Sequence, residues 1–352
     1  MKKERLDYLD FAKCIAILLV IWGHTTSVGS TVAYKVALYS FHMPLFFLVS
    51  GMVISRHRRD YDRAHWKCFI SKNIMTLLVP YLIWGTFYSE FNFVNFAKLF
   101  YGSWEMLNAA KTLTSLWYLP CLFVARIMAE FVLMMSWKVK RIPRHLFGFI
   151  IAVLSFAIGF LLPKISIGYP LCCDIAFIAL GFIMLGYAVK TLVYKLPRTH
   201  AWPYLAATAV FGAMMYIGQK IQGDSPYLML MCRSDYGQPI YFFLCAFAGI
   251  GTVMAFSVFL TILFKDRPDT KARRFMLWAG ENTIGIYFLH KPFLQQVIMP
   301  VIASLGAVLP NAWWALLGSV FSFAVSSLVC CIINRYVPSL FGRFPSVTKP
   351  AE

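Results

Sequence analysis

Apolar residues run along this chain in blocks of about twenty, separated by short polar stretches, and that pattern predicts membrane-spanning helices. Ten blocks stand out: about 8–28, 36–55, 73–90, 115–136, 146–162, 169–189, 201–219, 238–264, 275–298 and 312–335. Each comes near the ~20 residues that a helix needs to cross a hydrocarbon core of ~30 Å, the fifth being the shortest. The expected fold class is all-α: a polytopic membrane protein of about ten transmembrane helices.

Composition supports this. Of the 352 residues, 60% are hydrophobic and 14% charged, and the mean hydropathy is +0.67. A soluble domain of this length cannot bury that much apolar surface. The start, Met1 to Arg5, followed by an apolar run, has the outline of a secretion signal. Asp7, Asp10 and Lys13 interrupt it, and no small-x-small cleavage pattern follows, so a retained first helix is expected.

Charge fixes an orientation. Most of the 33 Lys and Arg residues fall on alternate sides of the blocks. One side takes Lys2, Lys3 and Arg5; a second loop with Arg56, Arg58, Arg59, Arg63, Lys67 and Lys72; and further clusters at 138–144, 190–198, 265–274 and after 335. The other side takes only Lys35, Lys98, Lys111, Lys164, Lys220 and Arg233. Basic residues stay inside, which places both termini in the cytoplasm. The net charge of +18 is thus a topology signal, and no nucleic-acid motif accompanies it. The nine cysteines show no metal-ligand spacing, and most fall in apolar blocks, so neither a metal site nor a disulfide framework is expected. Cys232, in an outer loop, is the one candidate for pairing. The chain reads as a membrane domain over 1–335 and a short, loosely ordered cytoplasmic tail over 336–352. The longest outer loops, about 91–114 and 220–237, carry aromatic and polar groups suited to covering an outer pocket.

Candidate chemistry begins with His24, an ionisable side chain in the first block. Such groups are costly among lipid tails and mark functional sites. Lys13 lies eleven residues earlier, on the same helical face and about 16 Å away along the axis. Asp10, three residues before Lys13, falls near that face too. The competing reading is a polar stripe that only joins helices, where each contact contributes ~0.6–2 kcal/mol. His42 and His290 are expected at related depths in the second and ninth helices. An imidazole accepts protons near neutral pH, so three together suggest a shared site with a general base. Asp174, at the outer start of the sixth helix, suits a sugar hydroxyl or an imidazole. Arg126 and Glu130 are four apart and expected to pair. The second loop suits either anionic lipid or a phosphorylated donor. Ser50-Gly51 is expected to allow close helix packing.

These residues together resemble a known family. Leu9-Asp10-Phe11-Ala12-Lys13, then His24, looks like the first-helix signature of the acyltransferase-3 membrane O-acyltransferases. Phe41-His42-Met43-Pro44 through Gly51 resembles their second helix. Leu77 to Tyr81, Leu116 to Pro120, Gly181 to Gly186 and Gly280-Glu281-Asn282 to His290 follow in the family's order. The likeness spans about 6 to 335 and looks nearest the branch named for fucose 4-O-acetylase. It implies transfer of an acetyl or short acyl group from acetyl-CoA, a donor substrate, to a sugar or polysaccharide hydroxyl, free or lipid-linked. It implies His24 and Lys13 as the essential pair, with Asp10 positioning Lys13. Lys13, Lys72 and Arg126 become donor candidates; His42, Asp174, Asn282 and His290 become acceptor-binding or supporting candidates. One departure is plain. Many members carry an Arg-x-x-Arg pair before the Leu-Leu-x-Pro motif; here the stretch reads Lys72 to Thr76. The implied location is a bacterial plasma membrane. A glycan transporter or flippase is the alternative, and a membrane sensor the third class; only the transferase consumes acyl-CoA.

Overall fold

A computed structural model describes residues 6–25, 33–55, 60–110, 112–139, 141–221, 229–298, 300–301 and 311–344. Their helices, in chain order, are α1 (Asp7–Gly23), α2 (Ala33–Met52), α3 (Arg63–Asn73), α4 (Val79–Tyr88), α5 (Phe93–Tyr101), α6 (Trp104–Asn108) and α7 (Tyr118–Lys138). Then come α8 (Arg144–Leu161), α9 (Cys173–Lys195), α10 (Trp202–Ile221), α11 (Pro239–Leu263), α12 (Lys271–Glu281), α13 (Thr283–Pro292) and α14 (Asn311–Tyr336). No strand occurs among the described residues. Among the described residues, seven helical stretches are long and apolar enough to cross a membrane: Lys35–Met52, Arg63–Tyr88, Thr114–Lys138, Arg144–Leu161, Pro170–Lys195, Pro239–Leu263 and Trp313–Tyr336. The protein is an all-α, polytopic membrane protein. The other three expected blocks are also helical, each with a reason to differ. α1 has 17 residues, α10 carries Trp, Pro and Tyr at its start and Gln and Lys at its end, and the ninth block breaks at Asn282.

The chain forms two compact units. Unit one comprises Met1–Phe46, Leu196–Leu230 and Tyr236–Ile332; unit two comprises Phe47–Lys195, Met231–Asp235 and Ile333–Glu352.

In unit one, α1 packs on α11, α12 and α13. The contact with α12 requires a glycine: a Cβ on Gly280 would lie 2.1 Å from the carbonyl oxygen of Asp10. Asp7 and Arg273 pair at 2.5 Å, and Phe11 meets Phe264 at 6.1 Å. These contacts fix the Asp10 end of α1 through charge, ring packing and backbone approach. Asn282 separates α12 from α13, and its Nδ2 donates to the Trp278 carbonyl at 2.7 Å, closing the last turn of α12.

In unit two, α3 begins at Arg63, ten residues before the expected start of its apolar block. Asp62 caps it, accepting from the His65 N–H at 2.7 Å. Half of the presumed second loop is therefore helix; Arg56, Arg58 and Arg59 lie outside the described residues. A π-helical turn, Ile74–Leu78, joins α3 to α4 just before Pro80, which has no N–H to offer the regular ladder. The expected outer loop 91–114 holds α5 and α6, capped by Asn92 and Ser103. Gly51 and Gly186 bring the end of α2 and α9 into backbone contact, the packing role expected of Ser50-Gly51. On α8, Phe149, Ile150, Val153, Leu154 and Ile158 are exposed, which suits a face turned to lipid. The start of the tail is better ordered than its prolines suggest. A 3₁₀ turn, Pro338–Phe341, is held by Trp84, whose Nε1 donates to the Leu340 carbonyl at 2.9 Å and whose ring stacks on Phe341.

Candidate active site

α1 ends at Gly23, so His24 is its C-cap rather than an interior residue, and its backbone N–H still bonds back to Val20 and Ile21. The expected extension to 28 runs into residues outside the description. Gly23 leaves room for the Tyr39 ring, 2.9 Å from where a Cβ would stand, and Tyr39 Oη donates to the Gly23 carbonyl at 3.3 Å. Tyr39 thus ties α2 to the end of α1. Its ring lies 6.3 Å from that of His24 and 5.0 Å from that of His42. From α13, the His290 ring comes within 5.4 Å of His24. Rings from α1, α2 and α13 thus form one chain of contacts in unit one, His290 to His24 to Tyr39 to His42.

Two of them have assigned tautomers. His42 Nδ1 faces the Leu38 carbonyl at 2.5 Å, and His290 Nδ1 faces the Tyr287 carbonyl at 2.6 Å. A carbonyl only accepts, so each Nδ1 carries the hydrogen, and in the neutral ring each Nε2 presents a lone pair. His290 is fully buried, and its Nε2 has no hydrogen-bond partner among the described residues.

Sequence reasoning passed over two further members. Lys35, assigned to an outer loop, is buried near the start of α2, with Nζ 5.4 Å from the Tyr39 ring centre. Lys291, next to His290, is buried as well. Both lie within electrostatic reach of His24, as do His42 and His290. The signal was present: Lys35, Tyr39 and His42 recur at spacings of four and three on one helical face.

At the other end of α1, Lys13 and Asp10 pair at 2.7 Å, with Asp10 buried. Asn282 is buried at the α12–α13 break. Lys72, Arg126 and Asp174 belong to unit two. Lys72 is exposed at the end of α3, and its carbonyl accepts from Thr76 Oγ at 2.8 Å. Arg126 lies within electrostatic reach of Tyr118. Glu130, expected to meet Arg126, is hydrogen-bonded to His65 Nε2 at 2.9 Å across α3 and α7. Asp174 accepts from Ser234 Oγ in a polar cap with Glu105, Arg233, Lys164 and Asp235. There the Arg233 guanidinium sits 4.4 Å above the Trp104 ring. Burial pushes the Glu105 carboxyl above its ordinary range, Asp174 adds to the shift, and a backbone hydrogen bond, Arg233 and Lys164 offset part of it. An open groove in unit two, lined by Trp66, Ile127, Met128, Phe131, Val132 and Leu180, is wholly apolar and contains none of the candidate side chains.

A polytopic helical protein with buried imidazoles beside buried lysines has the equipment of an intramembrane enzyme. Comparison with known families gives the class: the acyltransferase-3 model, described as an acyltransferase domain, matches residues 6–331. The chain belongs to that family and is a multi-pass membrane acyltransferase. No curated protein matches it.

Proposed function

We propose that this protein moves an acetyl or short acyl group from acyl-CoA to a hydroxyl of a surface-glycan sugar, with His24 as general base. The observation that carries this reading is the run of ring contacts from His290 through His24 and Tyr39 to His42 in a chain of this family. In the reaction, His24 takes the proton of the acceptor hydroxyl as its oxygen attacks the thioester carbonyl. The tetrahedral species collapses with loss of the CoA thiolate, and the imidazolium returns the proton to that sulfur. A new ester C–O bond replaces the C–S bond, and no oxidant or metal enters the balance.

The other candidates take supporting parts. Lys13, held by Asp10, places the donor. Lys72 and Arg126 contribute to donor binding, with Lys72 standing where many relatives carry arginine. His290 and His42, with Nε2 lone pairs fixed by their tautomers, orient His24 or the acceptor. Asn282 shapes the helix break before His290, and Asp174 serves acceptor contact. The working domain in this proposal is 1–335, set in a bacterial plasma membrane, with both termini cytoplasmic, and the tail begins at 336. The acceptor is a sugar or polysaccharide, free or lipid-linked, in line with the resemblance of the chain to the branch named for fucose 4-O-acetylase.

The test is mass spectrometry of surface glycans from matched strains carrying intact, deleted or His24→Ala protein. An acetyl increment present only with the intact protein is expected. Acylation that survives His24→Ala at normal protein level refutes the base assignment, and glycan stranded on one membrane face without loss of acyl groups points to a transporter.

A further inference from the structure

Unit two contains a ligand-sized space that the chemistry above does not use. It is the open apolar groove lined by Trp66 from α3, Ile127, Met128, Phe131 and Val132 from α7, and Leu180 from α9, with a volume of about 510 Å³. Small-molecule sites fall at ~300–1,000 Å³. Water in a wholly apolar groove finds no hydrogen-bond partner, whereas a hydrocarbon chain needs none.

The groove has a structural origin. α7 packs on the π-helical turn Ile74–Leu78 that follows α3. Near the other end of α3, long side chains bridge the two helices instead: His65 Nε2 and Glu130 Oε1 are 2.9 Å apart. α3 and α7 thus diverge as a wedge from the π turn towards Arg63, and the groove lies between Trp66 and the stretch of α7 that flanks Glu130. The three helical stretches that line it, Arg63–Tyr88, Thr114–Lys138 and Pro170–Lys195, are each long and apolar enough to cross a membrane. Phe131 is 53% exposed in the lining. The groove therefore opens where lipid chains lie.

The wide end of the wedge is basic. Arg63 lies one turn before Trp66, and Lys67 one turn after Arg63. Both are exposed, and neither forms an ion pair with a described residue. Lys138 ends α7, seven residues past Phe131 and on the same face. From 56 to 67 the sequence holds Arg56, Arg58, Arg59, Arg63 and Lys67 against Asp60 and Asp62, and Asp62 is engaged as the cap of α3. Trp66 stands between this charge and the apolar lining, the position that amphipathic rings take at headgroup level.

We propose that the wedge between α3 and α7 binds an anionic phospholipid, with one acyl chain in the groove against Phe131 and Leu180 and the phosphate-bearing headgroup held by Arg63 and Lys67. The groove supplies chain contacts that any phospholipid can make, and the cations supply the choice of headgroup. The His65–Glu130 bridge keeps the wedge at its width. This site belongs to unit two and stands whether or not His24 is the base.

The test uses the full chain in dodecyl maltoside, titrated with phosphatidylglycerol or phosphatidylcholine whose acyl chains carry bromine, a quencher of nearby tryptophan emission. The chain has ten tryptophans, so the Trp66 signal is the difference between the intact protein and Trp66→Phe. Quenching by phosphatidylglycerol is expected to saturate at one lipid per protein, at a tenth or less of the concentration that phosphatidylcholine requires. Arg63→Gln combined with Lys67→Gln is expected to remove that preference and leave quenching by phosphatidylcholine as before. Val132→Phe, which fills the groove and leaves the cations in place, is expected to lower quenching by both lipids. Thermal unfolding checks that each variant is folded, and Val132→Ile replaces Val132→Phe where the larger ring unfolds the protein. Equal affinity for the two lipids makes Trp66 part of the ordinary lipid annulus and overturns the proposal. So does an absence of Trp66 quenching, and so does a preference that survives the double variant. Protection of Trp66 that grows with protein concentration assigns the groove to a second copy of the chain. Quenching relieved by palmitoyl-CoA and not by unbrominated phosphatidylglycerol assigns it to an acyl donor. Either result overturns the phospholipid.

Discussion

In unit two, polar groups of opposite character sit together. Buried Glu130 meets His65, and in the cap Glu105, Asp174 and Asp235 mix with Arg233 and Lys164. In unit one, the described carboxylates gather at the Asp10 end of α1, while three imidazoles and two buried lysines gather at the His24 end. The contrast shows how to read buried polarity. A pair that matches itself offsets its own desolvation and is explained by structure. Imidazoles brought together from separate helices are costly to keep among apolar side chains, and reaction chemistry accounts for them better. Perturbing the His24 end of α1 should therefore change chemistry before stability, and perturbing the His65–Glu130 pair of unit two should do the reverse.

The largest expected effect is on that chemistry. His24→Ala should lower acyl transfer by about a hundredfold or more, the contribution typical of a positioned general base. Detergent-solubilised protein should unfold at an unchanged temperature. A large stability loss with proportionate activity loss would return His24 to a packing role and erase the contrast.

Stability in unit one is expected to reside at the opposite end of α1. Gly280→Ala places a methyl group 2.1 Å from the Asp10 carbonyl oxygen, and backbone cannot give way as a flexible side chain does. The cost should reach up to about 3 kcal/mol, the upper part of the usual range for overpacking, read from the thermal or denaturant unfolding midpoint. A milder result means that α12 slides along α1 at little cost. Glu130→Ala makes the matching test in unit two. Losing the hydrogen bond to half-buried His65 should cost about 1 kcal/mol. Per-molecule acyl transfer by the folded fraction should stay near that of the unaltered protein, and a drop in kcat that outruns the loss of stability would join the His65–Glu130 pair to the chemistry.

The helices were legible in the apolar blocks because lipid demands long, uninterrupted runs. The start of α3 was not, because Arg63, Lys67 and Lys72 read as loop charge; the Asp62 cap was its signal. α5 and α6 were hidden in the same way behind Asn92 and Ser103. In the site, a shared locus for His24, His42 and His290 was readable from depth alone. Lys35 was missed because orientation rules count basic residues as markers of side and do not ask whether one points inward. The partner of Glu130 was missed because i,i+4 spacing proposes neighbours along a helix, whereas His65 comes from another helix.

The smallest expected effect concerns pH and belongs to the cap of unit two. Glu105 lies on α6, in the stretch read as an outer loop, and its carboxyl is raised above the ordinary value, with burial the main cause. A raised folded-state value means that the folded protein holds this proton more tightly than the unfolded chain does. The resulting stabilisation is full below the unfolded value of 4.5 and is lost as pH rises through the raised folded value. Above that point it makes no further difference to the slope. Glu105 is half-buried, and solvent screening keeps the effect small. Relative to the unaltered protein, Glu105→Gln, which stays neutral, should gain stability as pH rises from 4.5 through the raised folded value, and the difference between the two should be constant near neutrality. A difference that moves the other way over that range, with the variant losing ground as pH rises, would mean that Arg233 and Lys164, rather than burial, govern the carboxyl. The cap would then be held by ion pairing, and the balance attributed to unit two would be stronger there than at His65 and Glu130.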